Sequence, residues 1–270
     1  MGKAVIETID LVHTYKTGVT ALKGVNLKIY ENQVVSIVGQ NGSGKTTLVR
    51  HFNGLLKPTS GKVLVDGEDT AGKRMPELAR KVGYVFQNPN HQIFCTTVRE
   101  ELLVAPRNFN FSEDEQKRAL DEVVELMGLA SELDKHPLTL DYTSKKIVTI
   151  ASVLIYKPNV LVLDEPTNGL DQSGREMLTK IIDMMKAAGH TVVMISHDMD
   201  YVAEVSERVV VMANGQVIKD GAPAEVFLDR EALVEAQIEP PQITELDLYL
   251  SNGAGGGLAL TVADFVRKYQ

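Results

Sequence analysis

GQNGSGKTT, at residues 39–47, follows the β-branched run Val34–Val38 and precedes a segment typical of a helix. It fits the pattern G-x-x-x-x-G-K-[ST], in which glycines leave backbone N–H groups free to surround a phosphate. A helix that begins near Lys45 points its positive end at the same anion. The stretch therefore predicts a strand, a phosphate-binding loop and a helix in succession. The alternative is a glycine-rich turn that only joins a strand to a helix.

Eight residues of this stretch are predicted to contact a nucleotide. Lys45 offers a mobile cation for the β- and γ-phosphates, and the hydroxyl of Thr46 suits Mg²⁺. The predicted contacts are Gly39, Asn41, Gly42, Ser43, Gly44, Lys45, Thr46 and Thr47.

Composition excludes several classes of protein. The 270 residues carry a net charge of −8, which argues against nucleic acid as the main partner, because phosphate backbones select basic surfaces. The single cysteine, Cys95, forbids an internal disulfide and fits a reducing compartment. The first ten residues do not resemble a secretion signal, and no apolar run is long enough to span a bilayer. We expect no membrane-spanning segment, although the protein could dock on a membrane through a partner.

Two later apolar runs deliver polar side chains at their ends. Val160 to Leu163 precedes Asp164 and Glu165, and Thr191–Ile195 precedes His197. The carboxyl ends of parallel strands share one edge of a sheet, so these groups should meet the phosphate loop there. Asp164 is predicted to hold Mg²⁺ through water, Glu165 to accept a proton from water, and His197 to bond the γ-phosphate. The alternative is a pair of solvated acids and an incidental histidine.

Two residues outside these runs complete the predicted site. Tyr15 ends an early strand shortly before the phosphate loop, and this position favours stacking of its ring on a base over the alternative of a half-buried strand aromatic. Gln87 ends a strand that begins at Val82, and a neutral amide there can bond a metal-bound water and release it. Gln87 is therefore a further candidate for the magnesium and nucleotide site.

Several motifs together resemble those of ATP-binding cassette ATPases. Tyr15, GQNGSGKTT, Gln87, LVLDEP at 161–166, NGLD at 168–171 and His197 fall in the order found in that family. QNPNHQIF at 87–94 resembles more narrowly the ATPases of energy-coupling factor transporters, which import vitamins or transition-metal ions. The resemblance covers nearly the whole chain and implies ATP and Mg²⁺ as ligands.

The resemblance implies an α/β fold of the P-loop NTPase type with a RecA-like core sheet. Residues 1–88 and 158–222 would form the nucleotide-binding core with an N-terminal antiparallel β subdomain. Residues 89–157 would form an inserted helical subdomain, and residues 223–270 a C-terminal helical extension that helps dimerisation. A frayed tail is the alternative for the extension, in which residues 253–257 would be a flexible glycine-rich link.

The resemblance also implies partners. Two ATPase subunits would face each other, each ATP lying between one phosphate loop and the other subunit's signature motif. A transmembrane coupling subunit would dock between Asn88 and Leu103 on the cytoplasmic face of the membrane, and would link the ATPase indirectly to a substrate-binding membrane subunit. The transported substrate would be chosen by that other chain.

The signature motif departs from the family. LSGGQ is expected, yet residues 140–144 read LDYTS, and the family's later arginine is replaced by Ile147. Tyr142 and Thr143 put side chains where glycines would let N–H groups reach the γ-phosphate. Asp141 adds a negative charge, and it could instead cap its own helix. A heterodimer with a paralogue that has a normal signature is therefore favoured over a homodimer.

Three functions are compatible with the sequence. The first is a transport ATPase. The second is a regulatory or assembly subunit that binds nucleotide with little turnover, which LDYTS favours and the intact Glu165 and His197 disfavour. The third is a cassette ATPase that acts on DNA or ribosomes, which the acidic balance disfavours.

Overall fold

The computed structural model describes residues 2–251 and 257–270. The strands found there form two sheets, one of six strands and one of four. The strands are β1 (Ala4–Thr14), β2 (Thr20–Tyr30), β3 (Val34–Val38), β4 (Ser60–Val65), β5 (Glu68–Asp69), β6 (Val82–Val85), β7 (Val160–Asp164), β8 (Thr191–Ile195), β9 (Arg208–Ala213) and β10 (Gln216–Gly221).

The six-stranded sheet is the core of the molecule, with strand order β10-β9-β3-β8-β7-β6. Its strands run parallel except for β10, which pairs antiparallel with β9. Every residue of β3, β7 and β8 is buried. Both faces of these strands are covered, and this explains their unbroken apolar sequences.

The four-stranded sheet is antiparallel, in the order β2-β1-β4-β5. Its buried side chains share one hydrophobic core with β3 and with Leu48, Val49 and Phe52 of the helix that follows the phosphate loop. That helix is therefore packed in the core that joins the two sheets. The predicted α/β class, with an antiparallel N-terminal sheet beside a mainly parallel core sheet, is confirmed.

Eleven α-helices lie in the described parts of the chain. They are α1 (Lys45–Phe52), α2 (Met75–Lys81), α3 (Val98–Asn108), α4 (Glu113–Met127), α5 (Tyr142–Leu154), α6 (Gln172–Ala187), α7 (Met199–Val205), α8 (Pro223–Leu228), α9 (Arg230–Ala236), α10 (Gln242–Ser251) and α11 (Val262–Tyr269). None of them is both long and apolar enough to cross a bilayer.

Helices α3, α4 and α5 are inserted between β6 and β7. Helix α4 opens with a complete capping box between Ser112 and Glu115 and ends at Gly128, whose φ of 65° suits glycine. The apolar stripe of α4 packs with α3 and α5, which leaves these helices joined to the core sheet mainly through α5.

The C-terminal helices close back on the molecule. The backbone N–H of Gln40, in the phosphate loop, donates to the carbonyl of Ala236 at the end of α9 over 2.9 Å. Asp247 of α10 is buried and accepts hydrogen bonds from Lys268 and Tyr269 of α11 and from the N–H of Ala259. The predicted link at 253–257 lies, apart from Gly257, outside the described residues.

Candidate active site

The phosphate loop depends on its glycines for both backbone conformation and space. Gly39, Gly42 and Gly44 have φ values of 142°, 83° and 104°. A Cβ on Gly39 would collide with the backbone oxygen of Met212, and one on Gly44 would lie 2.7 Å from the carbonyl oxygen of Ala21. Side chains are therefore excluded at Gly39 and Gly44, and the end of the loop opens directly into α1, whose first turn contains no acidic residue.

Lys45 is held by the loop itself. Its Nζ donates to the carbonyl oxygens of Gly39 over 2.6 Å and of Gln40 over 2.9 Å. Burial lowers the pKa of Lys45, and the negative charges of Glu165 and Asp164 act in the opposite direction. The ammonium therefore sits beside the space that a phosphate would fill, bound only to neutral oxygens that a phosphate can replace.

Asp164 ends β7 and faces the start of α1. The hydroxyl of Thr46 lies 3.5 Å from Oδ1 of Asp164, and the hydroxyl of Tyr84 donates to Oδ2 over 2.6 Å. A hydroxyl and a carboxylate side by side are hard oxygen donors of the kind that Mg²⁺ prefers. Tyr84 was not predicted as part of the site, because a tyrosine within an apolar strand gives no signal in the sequence.

Glu165 and His197 meet at the same edge of the sheet. Nδ1 of His197 lies 2.8 Å from Oε2 of Glu165, which is ion-pair distance when the imidazole is protonated. That oxygen is buried and has no hydrogen-bond partner among the described residues, whereas the imidazole is 59% exposed. A buried carboxylate oxygen without a partner is suited to take a hydrogen bond or a proton from a bound water.

These groups surround one cavity of about 410 Å³. Most of the predicted site residues line it, while Ser43 is buried within the loop and Gly39 contributes its carbonyl to Lys45. The predicted residues that line the cavity are Tyr15, Asn41, Gly42, Gly44, Lys45, Thr46, Thr47, Gln87, Asp164, Glu165 and His197.

Tyr15 lies at the mouth of the cavity. Its hydroxyl is 2.8 Å from the hydroxyl of Thr47, and its ring is 37% exposed. Behind it the rings of His13 and His51 pack edge to face, with Nε2 of His51 lying 3.2 Å from Nδ1 of His13. His13 thus packs against the ring of Tyr15 and is itself packed against His51, while part of Tyr15 stays exposed at the cavity, where it could meet a base.

Comparison with known proteins decides the family. A family model described as ABC transporter matches residues 22–168. The chain belongs to the ABC transporter family. The chain is therefore a member of a family of ATPases that bind and hydrolyse ATP, as its motifs predicted.

Relatives of this ABC ATPase include energy-coupling factor proteins. The energy-coupling factor transporter ATP-binding protein EcfA of Methanosphaera stadtmanae is 40% identical over 266 residues, which cover 96% of each chain. EcfA2 of Clostridium perfringens is 40% identical over 254 residues, 92% of this chain and 89% of that one. TTE1589 of Caldanaerobacter subterraneus, named as an ABC transporter ATP-binding protein, is 39% identical, but this chain spans only 43% of its length.

Solved structures agree with the assignment. The cbiO1 protein of Clostridium perfringens, described as part of the ABC transporter complex cbiONQ, superposes with a TM-score of 0.77 at 36% identity over 90% of this chain and 98% of that one. The ATP-binding cassette MJ0796, solved as a dimer bound to ADP and Pi, gives 0.73 at 30% identity over 80% and 98%. The predicted P-loop NTPase fold is thus confirmed.

At the signature position of this ABC ATPase, the side chains of Asp141 and Tyr142 make contacts within the chain. Asp141 caps α5: its Oδ1 accepts from the N–H of Ser144 over 2.8 Å, and its Oδ2 from the hydroxyl of Ser144 over 2.9 Å. These hydrogen bonds lower the pKa of Asp141. The ring of Tyr142 lies against Gly169, where an added Cβ would come within 2.6 Å of it. The predicted cap is confirmed, and one N–H of the helix end is already occupied.

Proposed function

We propose that this chain is the ATP-hydrolysing subunit of an energy-coupling factor type importer. The observation that carries the proposal is the convergence of Lys45, Asp164, Glu165 and His197 on one cavity of about 410 Å³ at the end of the phosphate loop. Several relatives of similar length bear the energy-coupling factor name, which supports the transporter class.

The roles of the residues follow from their positions. Lys45 leaves the carbonyls of Gly39 and Gln40 for the β- and γ-phosphates, and the loop amides bind the same oxygens. Tyr15 stacks on the base. Thr46, Asp164 and Gln87 would hold Mg²⁺, which when bound neutralises charge on the phosphates.

Hydrolysis requires the attack of one water molecule and the removal of one of its protons. Glu165 takes a proton from the water while the oxygen of that water attacks the γ-phosphorus. The bond from the γ-phosphorus to the β–γ bridging oxygen breaks, so that ADP and phosphate form. His197 donates to the γ-phosphate and fixes the water. The buried Oε2 of Glu165, with His197 at 2.8 Å, supports this assignment.

The altered signature indicates an asymmetric pair. A partner's γ-phosphate would meet Asp141 instead of free N–H groups, and two like unit charges about 4 Å apart repel by roughly 4 kcal/mol at an effective dielectric of about 20. A homodimer of this chain would contain two impaired sites. A heterodimer with a paralogue bearing an intact signature would have one competent site, built on Lys45 and Glu165 of this chain.

The membrane contact is assigned to residues 88–103. Phe94 there is 72% exposed, and Glu101 is buried with its carboxylate accepting from the N–H groups of Phe94 and Cys95. These hydrogen bonds hold the backbone beside Phe94 in place, so its exposed ring is available for contact with a coupling subunit. The subunit would be peripheral, on the cytoplasmic face, and would act on the substrate-binding subunit only through the coupling subunit.

A regulatory subunit with little turnover is the second candidate. The specific observation in its favour is the occupied helix end at Asp141, which weakens any site that uses this signature. The two candidates differ in what Glu165 does, because a purely regulatory chain has no use for a general base.

Steady-state ATP hydrolysis separates the candidates. The purified chain is assayed alone and mixed with the paralogue encoded beside it, with Glu165→Gln in this chain as the blank. We expect negligible turnover alone, strong turnover in the mixture, and its loss with Glu165→Gln. The matched control places the same exchange in the paralogue's corresponding glutamate, which should reduce turnover far less. Turnover that survives Glu165→Gln in this chain would favour the regulatory function.

A further inference from the structure

Lys146 places a fully buried ammonium behind the active site, and the mechanism above does not use it. The residue lies in the second turn of α5, and none of its surface is exposed. Lysine is rarely buried completely without an oppositely charged partner, because removing its charge from water is costly. A position of this kind therefore needs an explanation in terms of what the ammonium contacts.

The ammonium binds the backbone of two catalytic segments. Nζ of Lys146 donates to the carbonyl oxygen of Gln87 over 2.7 Å and to that of Glu165 over 3.3 Å. No ion pair of Lys146 occurs within residues 2–251 and 257–270, although the charges of Asp164 and Glu165 act on it. Burial lowers the pKa of Lys146 to about 8, and these two carboxylates oppose that change.

The contact at Glu165 bears on the conformation of the general base. Glu165 has a φ of 49°, in the left-handed region that non-glycine residues rarely adopt. Such a conformation persists only where neighbouring contacts enforce it. Its N–H donates to the carbonyl of Ile195, and its carbonyl accepts from Lys146 and, at 3.4 Å, from the N–H of Asn168. Lys146 is thus the only charged group among the described contacts of this peptide.

We propose that Lys146 is a positioning residue for ATP hydrolysis, which ties the backbones of Gln87 and Glu165 to the helix that begins at the signature segment. One ammonium joins three segments: the end of β6, the end of β7 and α5. A displacement of α5 is thereby transmitted to the carboxylate of Glu165 without any contact with nucleotide. The inference rests on the proposed function, in which Glu165 is the general base.

A purely structural role makes a different prediction. Lys146→Met removes the cost of burying a charge but leaves the carbonyls of Gln87 and Glu165 without this donor, so its two effects on stability oppose each other. If Lys146 only filled space, Lys146→Met would leave turnover unchanged. If it positions Glu165, the same variant keeps its thermal stability and nucleotide affinity but loses turnover.

The experiment compares Lys146→Met, Lys146→Arg and the control Lys180→Met, an exposed lysine on α6, each assembled with the wild-type paralogue. We expect Lys146→Met to lower kcat about tenfold to a hundredfold, as a misplaced catalytic group does, with KM for ATP changed less than about twofold. Lys146→Arg should recover part of the loss, because it restores a cationic donor. Lys180→Met should behave as wild type. Lys146→Gln replaces the methionine variant if that protein does not fold.

Hydrogen exchange of the chain alone gives a readout that needs no turnover. We expect the amide of Asn168, which donates to the carbonyl of Glu165, to exchange at least about tenfold faster in Lys146→Met. A kcat within about twofold of wild type, in a pair that hydrolyses ATP, would overturn the inference. If the wild-type pair does not hydrolyse ATP, the proposed function fails, and unchanged exchange at Asn168 would then reject the positioning role on its own.

Discussion

The hydroxyl of Tyr84 donates to Asp164, which lines the cavity, over 2.6 Å. Both groups are buried, so the carboxylate has little water to replace a lost donor. Tyr84→Phe should lower the free energy of unfolding by about 1.5–3 kcal/mol, the range for hydrogen bonds to charged groups. Urea unfolding measures it. Tyr156→Phe is the control, since the Tyr156 hydroxyl makes no hydrogen bond in the described structure. Equal effects of both substitutions would contradict the prediction.

Asp141 allows charge and capping to be separated. Asp141→Ser keeps an oxygen that can cap α5 and removes the negative charge, whereas Asp141→Ala removes both. We expect Asp141→Ser to raise ATP hydrolysis by this chain alone at least about tenfold, because part of a repulsion of roughly 4 kcal/mol disappears. Asp141→Ala removes the same charge, but it should also destabilise the protein by about 1 kcal/mol because the cap is lost. If Asp141→Ser leaves turnover unchanged, the defect of the signature lies in Tyr142 or Thr143.

His51 should make the protein sensitive to acid. Burial lowers the pKa of His51, His13 acts in the same direction, and the carbonyls of Thr47 and Lys57 oppose the change. Because its pKa in the folded state is below the ordinary 6.5, the unfolded chain takes up the proton first as pH falls. Stability is full above 6.5 and is lost between 6.5 and the lower folded pKa. The free energy of unfolding, measured from pH 7.5 to 5, should decline less in His51→Gln than in the exposed control His91→Gln.

Sequence identified the site residues that belong to contiguous motifs. Lys45 and Thr46 are fixed by spacing within one loop, and Asp164, Glu165 and His197 by their places after buried strands. Tyr84, His51 and Lys146 escaped prediction because their partners lie far along the chain. Lys146, for example, contacts residues 59 and 19 positions away. Such contacts depend on how elements pack, which no local pattern contains.

At the scale of elements, the β9–β10 hairpin shows how a turn can support the phosphate loop. Its turn residues Asn214 and Gly215 have φ values of 52° and 82°. The N–H of Gly215 donates to the carbonyl of Ser43, and its own carbonyl accepts from the N–H of Lys23. The turn thus fastens the loop to β2.

Gly215→Ala tests this fastening. A Cβ would lie 2.7 Å from the carbonyl oxygen of Ala21 and would also strain the backbone. The control Gly67→Ala has a similar φ of 81° with nothing within 4 Å, so it should cost only the about 1–2 kcal/mol of left-handed strain. We expect Gly215→Ala to lower the free energy of unfolding in urea by more than the control does. Equal losses of stability in the two variants would show that the hairpin can shift to accommodate the added Cβ.

Elements with strong local signals were predicted closely. The apolar run Thr191–Ile195, singled out from the sequence, forms strand β8 with the same bounds. Helices α7 and α9 were not predicted. Each has seven residues, too few for a clear apolar period, and each depends on an aspartate cap, Asp198 or Asp229, that sequence alone does not distinguish from a loop residue.

At the scale of the molecule, Asp247 decides whether the C-terminal helix stays attached. Burial alone would raise the pKa of Asp247, but hydrogen bonds from Ala259, Lys268 and Tyr269 outweigh it and lower the pKa. Losing one partner of a buried pair costs about 3–5 kcal/mol, reduced here because the side chain of Lys268 is 25% exposed.

Asp247→Asn should therefore loosen α11. We expect trypsin to cut at Arg267 and Lys268 at least about tenfold faster than in wild type, corresponding to about 1.4 kcal/mol of easier opening. The exposed Asp183→Asn is the control. If the extension serves dimerisation, the same variant should weaken association with the paralogue in sedimentation experiments. Unchanged cleavage would mean that Asp247 does not hold the helix.

The hydrogen bond from Gln40 to Ala236 has a consequence for gene exchange between paralogues. The end of α9 contacts the phosphate loop at Gln40, one residue before Asn41, which lines the cavity. A chimera that receives residues 223–270 from another gene also receives a new support for its nucleotide loop. We therefore expect recombination that separates residues 223–270 from the phosphate loop to alter ATP affinity, even where every motif residue is kept.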